Sequence, residues 1–230
     1  MSLIRFEKVT KTYAASQGGV FGLDFEISQG EFVYLIGSSG SGKSTVINLL
    51  IKNIEPDSGN ISLSDINLEK VLADDLPYYR RNFGIVSEKI GLMPNRSIYE
   101  NVAYPLIIQN KRPKPMRDYV NNVLASVGLG DISSKKAAHI SGGEKARAML
   151  ARALVTSPPI LIADEPTAGL DKDATWDILN LLEHFNHQGT TILMATHQKS
   201  LVNITRKRVI WLKNGKIASD EKFGRYRTVY

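Results

Sequence analysis

The sequence predicts an α/β fold built around a largely parallel sheet, and three observations predict it. Four short apolar runs read as strands buried on both faces: Phe32-Val33-Tyr34-Leu35-Ile36, Phe83-Gly84-Ile85-Val86, Ile160-Leu161-Ile162-Ala163 and Thr191-Ile192-Leu193-Met194-Ala195. Segments of helical periodicity stand between them, the alternation that parallel sheets require. The nine residues Gly37-Ser38-Ser39-Gly40-Ser41-Gly42-Lys43-Ser44-Thr45 join the first of these strands to the helical run 46–51.

In chain order, residues 2–10 alternate through Leu3, Ile4, Phe6 and Val9, and 20–28 alternate through Val20, Phe21, Leu23, Phe25 and Ile27. Both read as strands of a small antiparallel sheet flanking the strand at 32–36. Pro56-Asp57-Ser58-Gly59 marks a turn, 60–66 a short strand and 67–82 a polar segment. From about 89 to 155 the pattern turns helical. Ser97-Ile98-Tyr99-Glu100 is a capping box. Residues 116–127 place Tyr119, Val120, Val123, Leu124 and Val127 on one face with Gly128 to end the helix, and 109–115 is a polar linker. A helix over 145–154, another over 174–187 with Ile178, Leu182 and Phe185 inward, and a hairpin around Asn214-Gly215 complete the reading. The expected organisation is one domain over 1–230: core and β subdomain at about 1–88 and 156–230, and a helical subdomain at about 89–155. No internal repeat or low-complexity tract interrupts it.

Composition narrows the function classes. The chain has 230 residues with 43% hydrophobic content, enough for a sizeable core. No apolar run approaches the ~18 residues of a membrane span. No signal-peptide core follows the charged Arg5, Glu7 and Lys8, and cysteine is absent, so a cytoplasmic location is the expectation. The net charge is +6, with bases gathered at Lys111-Arg112-Pro113-Lys114, at Arg206-Lys207-Arg208 and from Lys222 to Arg227. These fit an anionic membrane surface, nucleic acid or a plain solvated face. The lack of an aromatic-interleaved basic stripe argues against nucleic acid.

Residues 37–45 match G-x-x-x-x-G-K-[ST], the P-loop pattern, in the strand–loop–helix setting that motif needs. Glycines let the backbone turn its N–H groups inward around a phosphate, and the following helix N-terminus favours an anion. Lys43 can reach the terminal phosphates, and Ser44 offers a hydroxyl to Mg²⁺. The strand at 160–163 ends in Asp164-Glu165, an acid for the metal and a second to polarise an attacking water. Ser141-Gly142-Gly143-Glu144 is a capping box opening a helix, and its paired glycines suit a second anion site.

Taken together, residues 37–45, Ile140 to Glu144, 160–165, Ala168-Gly169-Leu170-Asp171 and Thr196-His197 resemble the ATPase subunits of ABC transporters over nearly the whole chain. The resemblance implies a P-loop NTPase (RecA-like) core with an antiparallel β subdomain and a helical signature subdomain, ATP and Mg²⁺ as ligands, and a homodimer formed on ATP binding. ATP would then lie between the loop Gly37, Ser38, Ser39, Gly40, Ser41, Gly42, Lys43, Ser44 and Thr45 of one subunit and Ser141, Gly142 and Gly143 of the other. Glu165 would be the catalytic base, His197 a γ-phosphate contact, Asp171 part of the loop bridging subunits, and Tyr13 the adenine platform. Metal contacts would come from Ser44, Asp164 and Glu88. Each role has a plainer counterpart: Tyr13 as a core aromatic, His197 as a strand-end hydrogen-bonder, Asp171 as a helix cap.

Residues 80–86, 95–103 and 193–197 further resemble the cell-division branch of these ATPases, the FtsE family, whose members pair with the membrane protein FtsX. The resemblance implies a place at the cytoplasmic face of the cell membrane and a link to cell-wall hydrolases. The lipoprotein-releasing and macrolide-exporter ATPases share part of these segments and stand as the alternative. A soluble nucleotide-switch scaffold is a third reading, and a soluble protein acting on DNA or ribosomes would carry insertions or a fused second half that this chain lacks. Two positions depart from the family pattern: Glu88 stands where a glutamine is expected, and Gln198 where an acid often follows the histidine. The loop near Glu88, with Ile90, Leu92 and Met93, is the expected dock for a short helix of the membrane partner; the same three residues also suit ordinary core.

Overall fold

The computed structural model describes residues 2–13 and 18–225. The chain divides into two units: the described residues up to Arg80 together with those from Thr191 onward, and Arg81–Thr190. In the first unit, β1 (Ser2–Tyr13) and β2 (Gly18–Ser28) pair antiparallel, and a period of two, reset by register shifts on either side of Val9, turns Ile4, Phe6, Val9, Val20, Leu23 and Ile27 into the core. Phe6 stacks on Phe25 with ring centroids 4.6 Å apart. β3 (Phe32–Ile36) is buried at every position, as its unbroken apolar run requires, and leads through residues 37–42 into α1 (Lys43–Leu50). β4 (Ser58–Leu63) and β5 (Ile66–Asn67) extend the antiparallel sheet to the order β2-β1-β4-β5.

The segment 67–82 holds more structure than its polar sequence suggests: two 3-10 turns and α2 (Leu76–Arg80). The buried Tyr79 hydroxyl donates to the Leu50 carbonyl at 2.5 Å, and Arg80 donates to the carbonyls of Ile51 and Lys52 at 3.1 and 3.0 Å. These bonds close carbonyls that the end of α1 leaves unpaired. Elements this short leave no periodic trace in a sequence.

The unit Arg81–Thr190 contains β6 (Phe83–Ser87), α3 (Ile98–Ile108), α4 (Pro113–Ser126), α5 (Gly142–Leu154), β7 (Ile160–Asp164) and α6 (Lys172–His187). β6 and β7 run parallel, with Ser87 opposite Asp164. The Ser97–Glu100 capping box forms in both directions. The expected linker 109–115 is shorter, because α4 starts at Pro113, a residue suited to a first turn where its missing N–H has no helical acceptor. Val120, Val123, Leu124 and Val127 make the buried face of α4, but Tyr119 is 48% exposed rather than inward. α5 begins at Gly142, earlier than the expected 145, and Phe185 is only half-buried.

From Thr191 onward the chain supplies β8 (Thr191–Thr196), α7 (Lys199–Thr205), β9 (Arg208–Lys213) and β10 (Lys216–Glu221). β8 and β9 flank β3 in parallel, putting Thr196 on one side of Ile36 and Trp211 on the other. The β9–β10 turn uses Asn214 and Gly215 at φ 50° and 74°, the left-handed pair that a tight hairpin needs. A Cβ on Gly215 would sit 2.3 Å from the Gly19 carbonyl oxygen and 2.8 Å from the Phe21 ring. Among the described residues, no helix is long and apolar enough to cross a membrane.

Candidate active site

Strand register assembles one set of residues in the first unit. Because Ile36 pairs with Thr196, Gly37 and His197 leave the carboxyl ends of neighbouring parallel strands side by side, the usual place for a ligand in such sheets. The loop 37–42 is braced from behind by the hairpin turn. The Gly215 amide donates to the Ser41 carbonyl at 3.2 Å, and its own carbonyl accepts from the Phe21 amide at 2.8 Å. This brace has no motif and is invisible in the sequence. The loop's glycines divide by duty. A Cβ at Gly37 would strike Ser41 Oγ and the Leu212 carbonyl, and one at Gly42 would strike Val20, whereas Gly40 has nothing within 4 Å. Gly37 and Gly42 are therefore demanded by the chain's own packing, and Gly40 alone faces open space.

Two features of this loop suit an anion, and a third is an internal strain. Lys43 Nζ donates to the carbonyls of Gly37 and Ser38 at 2.7 and 3.1 Å, so a cation is held over the loop. The α1 N-terminus has no side-chain cap and no acid in its first turn, leaving its amides and positive dipole end uncompensated. Ser41 Oγ is buried without a hydrogen-bond partner among the described residues, an unsatisfied polar group that costs about 1–3 kcal/mol. A phosphate group would answer the Lys43 cation and the free α1 amides, whereas the Ser41 hydroxyl is enclosed behind Gly37.

Tyr13 reaches the same loop. It is 37% exposed at the end of β1, and its hydroxyl lies 3.4 Å from Thr45 Oγ1 on α1. Asp57, read from the sequence only as part of a turn, anchors the two residues before it. It accepts from Lys11 Nζ, the Thr12 amide and the Thr12 hydroxyl, each at 2.7 Å. Those bonds, the one from Lys11 foremost, hold the Asp57 carboxyl down at about 2.

In Arg81–Thr190 the same strand-end logic gathers acids. Ser87 pairs with Asp164, so Glu88 and Glu165 follow at adjacent carboxyl ends. Glu165 is half-buried at φ 51°, a left-handed conformation costing about 1–2 kcal/mol for a residue with a Cβ, and Pro166 follows it directly. Strain of this kind collects where a side chain must be aimed. Arg152, which carried no sequence signal, donates to the carbonyls of Ile90 and Gly91 and fixes the loop after Glu88. Burial lowers its pKa from the ordinary arginine range. Glu88 and Leu92 line a cavity of about 270 Å³ with Gly91, Pro94, Lys145 and Met149. Ile90 stands outside that lining at 50% exposure.

The N-terminus of α5 is exposed and carries the Ser141–Glu144 capping box. Ser141 Oγ accepts from the Glu144 amide at 3.2 Å, and Glu144 accepts from the Ser141 amide at 2.7 Å. Helix geometry leaves the Gly142 and Gly143 amides without intrahelical acceptors. Asp171 caps α6 through the Ala174 amide at 2.8 Å. The two caps adjoin: a Cβ on Gly142 would lie 3.6 Å from Leu170, and one on Gly143 3.2 Å from Ala174. Gly143 thus answers to packing as well as to any ligand.

A family model described as ABC transporter matches residues 20–168. This chain belongs to the ABC transporter family. Similarity to curated members runs nearly end to end. The chain is 42% identical to the Streptococcus pneumoniae cell division ATP-binding protein FtsE, covering 98% of each, and 37% identical to its Bacillus subtilis namesake, covering 97% of the chain and 98% of that protein. Among solved structures it is similar to the dimeric, post-hydrolysis ATP-binding cassette MJ0796 bound to ADP and Pi, at TM-score 0.84 and 31% identity, covering 97% of the chain and all of the other. The fold is the family's nucleotide-binding domain, and the chain is an ABC ATPase that binds and hydrolyses ATP.

Proposed function

We propose that this chain is the ATPase of an FtsE-type division complex, in which ATP-driven closure of two copies is transmitted to an FtsX-like integral membrane partner. The chain is then peripheral at the cytoplasmic face of the cell membrane. The observation that carries the reading is that full-length similarity to FtsE proteins coincides with two separate phosphate-suited ends, the loop at 37–45 and the exposed N-terminus of α5. A nucleotide held between the first end of one copy and the second end of the other uses both.

On this reading Lys43 and the α1 amides hold the phosphates. Tyr13 presents its ring to adenine, kept in place by Thr45 and by the Asp57 anchor. Ser44, Asp164 and Glu88 would hold Mg²⁺; their hydroxyl and carboxylate oxygens are the donors a hard cation takes. Held there, Mg²⁺ would supply positive charge against the phosphates. Glu165 receives a proton from the attacking water, its carboxylate aimed by the strained backbone. His197 contacts the γ-phosphate. From the partner copy, Ser141 and the amides of Gly142 and Gly143 meet the γ-phosphate, and Asp171 lies in the seam. The cavity beside Glu88 and Leu92 receives a short helix of the membrane partner.

The test is Glu165→Gln. ATP turnover should fall by about 10²- to 10⁴-fold while ATP binding persists, and the variant should run as a dimer in gel filtration with ATP and as a smaller species without it. A variant that turns over ATP like the parent, or never self-associates even with its membrane partner present, would defeat the reading.

A further inference from the structure

The three basic clusters of the sequence have different fates in the structure. Arg208 is consumed internally, donating to Asp220 at 2.8 and 2.6 Å and to Glu31 at 3.0 and 3.1 Å, and Lys207 lies over the Phe32 ring. Arg206 stays exposed, as do Lys222 and Arg225 of the last cluster, whose Tyr226 and Arg227 lie outside the described residues. The cluster between α3 and α4 is the densest: Lys111, Arg112, Lys114 and Arg117 are all exposed, and none makes an ion pair among the described residues.

The same hairpin of helices carries uncovered apolar surface. Tyr104, Ile107 and Ile108 fall three and four positions apart on α3, one continuous strip, at 48, 52 and 61% exposure. Tyr119 on α4 is 48% exposed. Across 104–119 four bases face one acid, Asp118. The placement of the bases is also unfavourable within the chain. Arg112 is the N-cap of α4, Lys114 and Arg117 follow, and no acid stands in the first turn, although a helix N-terminus repels cations. Exposed Ile and Tyr beside uncompensated Lys and Arg is the pattern of a surface that lies against anionic lipid.

We propose that the α3–α4 hairpin, through Ile107, Ile108, Lys111, Arg112 and Lys114, docks directly on an anionic phospholipid surface. Lipid phosphates neutralise the bases, and the isoleucines enter the headgroup boundary. This deepens the membrane-peripheral reading above by giving the chain its own lipid contact, independent of a protein partner. Nucleic acid would satisfy the bases but leave the isoleucines uncovered, since aliphatic side chains offer bases no stacking platform.

The experiment is vesicle co-sedimentation of the full chain, without membrane partner, on phosphatidylcholine alone and with about a third phosphatidylglycerol. Binding is expected only to the anionic vesicles and should weaken with salt. Each base contributes about a five-fold factor near such a surface, so Lys111→Ala/Arg112→Ala/Lys114→Ala should weaken binding about a hundred-fold. Ile107→Ser/Ile108→Ser should also reduce it, and both variants should keep the parental thermal midpoint and ATP turnover. Equal binding to both vesicle types, no binding, or binding indifferent to the substitutions overturns the proposal. Should the bare chain ignore vesicles while a reconstituted membrane partner recruits it, and Ile107→Ser/Ile108→Ser abolish that recruitment, the surface is a protein interface. The lipid proposal then fails while the membrane-peripheral reading stands.

Discussion

The cap that Ser141 makes and the phosphate contact proposed for it can be separated by one substitution series. Inside the chain Ser141 caps α5, its hydroxyl on the Glu144 amide at 3.2 Å. Across the proposed dimer it meets the γ-phosphate. Ser141→Ala removes both, Ser141→Asn keeps a neutral cap, and Ser141→Asp keeps the cap but sets a carboxylate against phosphate; Asn and Asp cap as well as Ser. Losing the cap costs about 1 kcal/mol, which lowers the thermal midpoint by about 2–4 °C for a chain of this size. A hydrogen bond to a charged group contributes about 1.5–3 kcal/mol, and a two-fold dimer contains two of them. The dimer should therefore weaken by about 3–6 kcal/mol in Ser141→Ala, or some 10²- to 10⁴-fold, and further in Ser141→Asp. Midpoints are read by circular dichroism, and association by gel filtration with ATP in the Glu165→Gln background. The expected pattern is crossed: Ala loses both midpoint and dimer, Asp loses only the dimer. If Ser141→Asp associates on ATP as readily as its parent, Ser141 makes no phosphate contact. An Ala variant with an unchanged midpoint would show that the cap contributes nothing.

Three other substitutions probe the supports around the site. Gly215→Ala forces a Cβ to within 2.3 Å of the Gly19 carbonyl oxygen at φ 74°. It should cost about 1–3 kcal/mol in urea unfolding and weaken ATP binding, because the Ser41 carbonyl loses its brace; normal stability and affinity together would refute the bracing. Asp57 has its carboxyl lowered from 3.8 to about 2, so its contribution to stability is full above the ordinary value and disappears as pH falls through the folded one. Asp57→Asn should thus unfold at a lower temperature than the parent at pH 7 and 5, with the gap closing between pH 4 and 2; a gap that persists undiminished at pH 2 contradicts the ion-pair account. Glu88→Gln should shift the Mg²⁺ dependence of ATP turnover, since it exchanges a charged oxygen donor for a neutral one; superimposable metal titrations would remove Glu88 from the metal's surroundings.

What the sequence revealed and what it hid follows from the range of each interaction. Both capping boxes, the left-handed Asn214-Gly215 turn and the strand–loop–helix around 37–45 are local, written within a few adjacent residues, and each appears where it was read. The supports hold residues far apart in the chain: Asp57 on Lys11 and Thr12, Gly215 on Ser41, Arg152 on the carbonyls after Glu88. A lone Asp in a turn or a lone Arg on a helix carries no mark of such a partner. Periodicity failed at Tyr119 for a related reason. A helical repeat finds the stripe that contains the buried face, but not how far the neighbouring helix covers it, and α3 leaves the Tyr119 edge of α4 bare. The paired glycines at 142 and 143 show the limit most sharply. They read as a place where a phosphate approaches the backbone, yet Gly143 is also confined by Ala174 at the start of α6. A glycine forced by a ligand and a glycine forced by packing are the same letter, and only the space around each separates them. Gly142 has room for a Cβ and Gly143 nearly lacks it. Gly143→Ala should therefore disturb α5–α6 packing without nucleotide, whereas Gly142→Ala should act only when a phosphate must come close.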